Sequence, residues 1–257
     1  MQHLAQEAPE IARGVAIGIT TQAAGSEDGT DSHLTYEIAR SPVHLVSADY
    51  VDNKIIFKTT IADAVAAEFN EVGLFTLESS ETSDQVTTFD ELGWTAGTLV
   101  DTNSRLGTES LMLNPAAGNS ILTEMAIEAD WSEFTKESLI KFAYHADANV
   151  AGVEIAFYTE DTAATYSFTP ANGYAIEEFT LADLTDAGID RANITRVSVE
   201  ATSGAAMGEL TLDGIRIDSH DVLNQEEFMV ARAILEEPRV KRAGLPMDVE
   251  FHVEVTL

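Results

Sequence analysis

Apolar residues in this chain recur at every second position, in short runs separated by Gly, Asn, Asp and Pro. The plainest run is Val249 to Leu257: Val249, Phe251, Val253, Val255 and Leu257 share one side, Glu250, His252, Glu254 and Thr256 the other. A period of two is the mark of a strand with one buried and one solvated face. From Phe89 onward such runs come at nearly even spacing: 94–100, 109–113, 121–128, 137–145, 152–158, 165–168, 174–181, 194–201 and 209–217. Even spacing with turn residues between short strands specifies an all-β chain of the sandwich type. One helical turn at 62–67 and a short helix at 181–187 are the exceptions the pattern suggests.

The strands fall into two sets. The amino-terminal part offers Arg13–Ile19, Leu34–Arg40, a hairpin of Val43–Val51 and Lys54–Ile61 turning at Asp52-Asn53, and Glu71–Phe75. Gly14 and Gly18 in the first of these mark close approach of backbone. After Phe75 the chain turns polar through residue 88, and a second polar run at 218–227 precedes Phe228–Leu235. The pattern of Phe228–Leu235 suits a strand beside Glu71–Phe75. The expected organisation is one β-domain of residues 1–76 and 226–257, split by an inserted β-sandwich of residues 77–225.

Charge narrows the environment more than the partner. The 257 residues include 44 Asp and Glu against 14 Lys and Arg, a net charge of −30, and 45% are hydrophobic. That apolar content argues against disorder. Nucleic acid and anionic membrane surfaces need clustered Lys and Arg, which the sequence lacks. Only Lys54, Lys58, Lys136, Lys141 and Lys241 are lysines. Acid enrichment with lysine depletion suits very high salt, where carboxylate repulsion is screened; the expectation is a halophilic protein. There is no cysteine, so neither a disulfide framework nor a thiolate site. The opening MQHLAQEAPEIARG has no basic region and no long apolar core, so it does not read as a signal peptide, and no apolar run is long enough to span a membrane.

Chemistry-bearing motifs are scarce. No phosphate-binding GxxxxGK[ST], dinucleotide GxGxxG, HExxH or GxSxG occurs. His3, His33, His44, His145, His220 and His252 lack metal-ligand spacing. With so many carboxylates, pairs at glycosidase spacing arise by chance and say nothing; the chain is not read as an enzyme. Asp101–Glu109 departs from the calcium loop of an EF-hand, with its Gly at the seventh position, and reads as a hairpin loop. Trp94, Trp131, Tyr166 and Tyr174 are the candidate ligand contacts, because aromatic faces attract the apolar faces of sugar rings.

Two resemblances attach to these residues. RGVAIGITT, YEIARSPV (36–43), VHLVSADYVDNKIIFKTTI (43–61), EVGLF (71–75) and the closing segment 228–257 resemble, in order and spacing, the attachment region of tailed-phage fibre and tail-collar proteins. Those proteins normally have a short turn where this chain carries its insert. In the insert, FDELGWTAG (89–97), GTESLMLN (107–114) and LTLDGIRID (210–218) resemble a carbohydrate-binding module of the galactose-binding-like jelly-roll kind. The first resemblance implies a virion tail component of a haloarchaeal virus: a fibre, spike or baseplate subunit, trimeric, docking on other tail proteins. The second implies contact with a host-surface glycan and a structural calcium at the positions of Asp90, Glu91 and Asp213; the plainer reading of Asp213 is a turn cap beside Gly214. A stand-alone carbohydrate-binding protein of a halophile and a glycan-degrading tail enzyme are the alternatives.

Overall fold

The computed structural model describes residues 12–26, 33–49, 51–77, 83–160, 162–186, 188–218 and 229–254. Every helix- or strand-type element among them is a strand. The stretch 62–66 forms a turn before β5 and no helix; where a short helix is expected over 181–187, the described residues form a turn at 180–183 followed by the short strand Thr185–Asp186, and residue 187 lies outside them. The Val65 N–H closes on the Ala62 carbonyl at 3.3 Å and the Asp183 N–H on that of Thr180 at 3.0 Å. Six or seven residues are too few to offset the cost of nucleating a helix, and the Asp183 carboxylate caps its turn by accepting from the Thr180 N–H and hydroxyl.

The chain forms two compact units, Met1–Glu81 with Val222–Leu257, and Thr82–Asp221. The first opens with β1 (Gly14–Ile19), β2 (Tyr36–Pro42), β3 (Leu45–Asp49), β4 (Lys54–Ile61) and β5 (Ala67–Phe75). β3 and β4 form the expected hairpin, with Asn53 at φ 54° in its turn, a left-handed conformation that Asn tolerates. Gly14 and Gly18 are required where they stand: a Cβ on Gly14 would lie 2.2 Å from the Leu77 carbonyl oxygen, and one on Gly18 2.6 Å from that of Tyr36.

The second unit contains β6 (Ser83–Thr87), β7 (Thr98–Val100), β8 (Ser110–Leu113), β9 (Ser120–Ala129), β10 (Leu139–Ala146), β11 (Val150–Thr159), β12 (Thr162–Phe168), β13 (Gly173–Thr180), β14 (Thr185–Asp186), β15 (Ile194–Ser203) and β16 (Leu210–Asp218). β6 lies in a stretch that the sequence presents as linker. The strands make two antiparallel sheets. One has six strands in the order β13-β10-β16-β8-β7, with β6 also on β16; the other has five, β14-β12-β11-β15-β9. Their inner faces share one core: Ile140, Phe142 and Tyr144 of β10, Leu210, Leu212, Ile215 and Ile217 of β16, Val153, Ile155 and Phe157 of β11, and Val197, Val199 and Ala201 of β15. The inward phase of β16 slips between Leu212 and Ile215. The register shows why: Ala143 pairs with Gly214 and Tyr144 with Leu212, so Asp213 is the extra residue of a bulge.

The chain then returns to the first unit as β17 (Met229–Lys241) and β18 (Met247–Glu254). β17 lies antiparallel to β5, with Met229 opposite Phe75 and Ala233 opposite Val72. It runs beyond the expected end at Leu235. An irregularity between Ile234 and Arg239 takes up Pro238, and pairing resumes to Lys241; an edge strand tolerates a proline there. The sheets are β17-β5-β1-β2 and β18-β4-β3, with Val15, Ile17, Phe57, Ile61, Phe69, Leu74 and Phe251 in a common core. In β18, Phe251 is buried while Glu250, His252 and Glu254 are exposed, as the alternation requires. Residues 78–82 of the first polar run, 219–227 of the second, Phe228, and Val255, Thr256 and Leu257 of the expected terminal strand lie outside the described residues.

Candidate functional site

The four aromatic residues singled out in the sequence do not gather at one place. Trp131 is 1% exposed and packs edge-on against Phe157, ring centroids 4.8 Å apart, so it is core and not a sugar platform. Trp94 is half-buried and stacked on Phe89 at 4.7 Å. The indole N–H of each is buried with no hydrogen-bond partner among the described residues. Tyr166 points inward from β12, stacked on Phe179 at 4.0 Å, and its hydroxyl donates to Glu177. Burial and then that carboxylate push its pKa up to about 12. These three are corrected to packing residues: a large ring in a short strand or loop buries more apolar area than it leaves for a ligand. Tyr174 faces outward, on the six-stranded sheet, with the Arg105 guanidinium 4.2 Å from its ring centroid and its hydroxyl committed to Asp213.

The three carboxylates proposed as calcium ligands are each engaged by donors of the chain itself. Asp213, fully buried, accepts from the backbone N–H groups of Arg105 (3.1 Å) and Leu106 (3.2 Å) and from the Tyr174 hydroxyl (2.5 Å). It thereby clasps the β7–β8 loop onto the sheet. Asp90 accepts from the Thr88 hydroxyl, and Glu91 from the Thr87 hydroxyl and the Thr88 N–H. As arranged, these residues do not fit a resident calcium, which takes about six to eight oxygen ligands. The groups turned toward Asp213 are N–H and O–H donors, the polarity an anion needs. Among the described residues no three His, Asp or Glu side chains converge as a metal cluster would. Farther along the same sheet Lys141, 0% exposed, pairs with Asp218 at 3.0 Å, and Arg216 pairs with it too.

The outward face of the five-stranded sheet is built differently. With Val153, Ile155 and Phe157 turned inward, β11 must present Glu154, Ala156 and Tyr158 outward; by the same rule β15 presents Arg196, Ser198 and Glu200. The register sets them in rows across the strands: Ser167–Glu154–Glu200–Leu122, Thr165–Ala156–Ser198–Glu124 and Ala163–Tyr158–Arg196–Ala126. Ala156 and Ser198 are each 2% exposed although they face outward, so the taller side chains around them wall in a floor of small residues. Tyr158 reaches over that floor, and the Ser198 hydroxyl donates to its phenolic oxygen at 3.3 Å. The Arg196 guanidinium carbon lies 4.0 Å from the Tyr158 ring centroid, with Nη1 3.5 Å from Glu124. Ser167 donates to Glu154 at 2.9 Å.

This face combines an aromatic ring, carboxylate acceptors and hydroxyls over a shallow floor. Such a set matches a ligand with an apolar ring face rimmed by hydroxyl groups. The sequence analysis did not single out Tyr158, Arg196 or Glu124. The signal was there: once VEIAF is phased by its inward Val153, Ile155 and Phe157, Tyr158 is the aromatic residue left on the wet side.

No protein-family model matches the chain, and no curated protein matches it in sequence. Solved structures do match. A family 11 carbohydrate-binding module from Clostridium thermocellum, in complex with a β-1,3-1,4-mixed-linked tetrasaccharide, is 13% identical with a TM-score of 0.43, covering 55% of this chain and 98% of its own. A family 30 carbohydrate-binding module is 15% identical with a TM-score of 0.43, covering 55% and 89%. A family 30 module of a cellulosomal cellulase from Clostridium thermocellum is 15% identical with a TM-score of 0.39, covering 64% and 98%.

Proposed function

We propose that this chain is a non-catalytic attachment protein of a virion tail, which holds a neutral stretch of host-surface glycan against the outward face of its five-stranded sheet. The observation that carries the glycan reading is the Tyr158 ring set over the Ala156–Ser198 floor among Glu124, Glu154 and Glu200. The jelly-roll resemblance of residues 89–97, 107–114 and 210–218 supports the same reading. The tail reading is supported by the ordered resemblance of the terminal segments, of which EVGLF, in β5, and the first closing strand, β17, stand side by side in one sheet. Weak single-site binding would gain from several copies on one particle.

A glycan array probed with the full chain tests the binding half. The expected result is retention of neutral oligosaccharides, weakened roughly two- to tenfold in Tyr158→Ala because one stacked ring contributes roughly 0.5–1.5 kcal/mol. No sugar release should accompany binding; release would favour a hydrolase. The tail half is tested by mass spectrometry of purified particles and light scattering of the free protein. Absence from particles together with a strictly monomeric protein would defeat it and leave a stand-alone binding protein.

A further inference from the structure

We infer that Arg196 is a salt-sensitive cap over Tyr158, one that has to swing off the ring before a sugar can stack there. The inference rests on the reading of this face as a glycan site and goes on to how access to it is controlled. Three observations define the cap. Arg196 and Tyr158 are direct cross-strand partners, and the guanidinium lies against the ring at 4.0 Å, where a ligand ring would have to pack. The tyrosine cannot easily turn away, because its hydroxyl is engaged by Ser198 above a floor that is 2% exposed. What holds the cap is slight: the Arg196–Glu124 pair is 3.5 Å long, with side chains 37% and 34% exposed.

A pair this open to water is weak and is screened by salt. The cation–π contact that remains is itself modest at an exposed site. Rising ionic strength therefore releases Arg196 from Glu124 and uncovers Tyr158. A neutral sugar has no charge of its own to be screened, so its binding should strengthen with salt, the reverse of an ion-paired ligand.

Hydroxyl-radical footprinting of the full chain, read at Tyr158 by mass spectrometry, tests the cap without any ligand. It is run at about 0.15 M and about 1 M NaCl, where the Debye length is about 8 Å and 3 Å, with circular dichroism checking that the fold is the same at both. Oxidation of Tyr158 should rise roughly threefold with salt, and in Arg196→Ala should be high at both salts. Glu124→Gln should remove the salt dependence. Tyr166, stacked on Phe179, serves as the unchanging reference. Equal oxidation of Tyr158 in wild type and Arg196→Ala would overturn the cap.

Titration with cellohexaose, laminarihexaose and mannohexaose adds the functional arm. Whichever binds should bind roughly three- to tenfold tighter to Arg196→Ala. Weaker binding by that variant would make Arg196 a ligand contact and overturn the cap. The expected footprint with no hexaose bound would leave the cap standing and bring down the glycan reading alone.

Discussion

Asp213 and Asp218 lie five residues apart on one strand and titrate in opposite directions. Burial pushes Asp213 up to about 7, against the pull of hydrogen bonds from Tyr174, Leu106 and Arg105. Burial also acts to raise Asp218, but Lys141 and then Arg216 outweigh it and hold the carboxyl at about 2. The signs follow by linkage. The folded chain holds Asp213's proton more tightly than the unfolded chain, so that stabilisation is complete below about pH 4 and is lost as pH rises through about 7. Asp218 stabilises above about pH 4, and its contribution is lost as pH falls toward 2. Thermal unfolding midpoints measured against pH should show wild type losing more stability than Asp213→Asn between pH 4 and 7. Between pH 4 and 2 it should lose more than Asp218→Asn. Comparing each variant with wild type cancels the other carboxylates of this acidic chain. A slope over pH 4–7 that Asp213→Asn leaves untouched would mean Asp213 stays ionised in its cage.

Among the elements, β5 and β17 are joined by more than ladder hydrogen bonds. Glu71, fully buried on β5, receives Arg232 from β17 through Nε at 2.5 Å and through Nη2. The Thr35 N–H donates to both Glu71 oxygens, while Arg232 reaches the Thr35 hydroxyl and Gln22. Removing the cation strands a buried carboxylate, so Arg232→Ala should cost the first unit roughly 3–5 kcal/mol. The double variant Glu71→Gln, Arg232→Met should recover part of that loss in guanidinium unfolding. A cost under about 1 kcal/mol for the single change would place the pair in solvent-like surroundings.

The alternation of apolar residues located both strands, but it could not reveal this pair. A charged residue at a strand's off-phase position reads as solvated, and period alone does not tell which outer faces are later covered. The same blindness affects Lys141, which is 0% exposed. Large aromatic residues mislead in the opposite sense: Trp131 is a candidate in the sequence because an aromatic face can stack on a sugar, yet it is 1% exposed within the core. The pleat was legible, and with it Tyr158; the depth at which each side chain finally sits was not.

At the scale of the whole chain, the inserted unit is closed at its own ends. Ser83 on β6 pairs with Asp218 on β16, so entry and exit are neighbours in one sheet. In the other unit, Phe75 and Met229 are partners across β5 and β17. A domain inserted at such a place leaves the host ladder intact on both sides. Among the described residues the core of the second unit draws on positions from Val86 to Ile217, and strands β6 through β16 pair only with one another. Each unit should therefore unfold as its own cooperative block. A fragment of residues 82–221 is expected to fold alone, to give a strand-type circular dichroism spectrum, and to melt at one of two midpoints seen in the full chain. A chain of residues 1–81 joined to 222–257 by a short Gly-Ser turn should reproduce the other midpoint, since the β5–β17 ladder needs only that the two strands be brought together. If the fragment is unstructured, or the full chain melts in a single step that neither piece reproduces, the units depend on each other and the insertion is not modular.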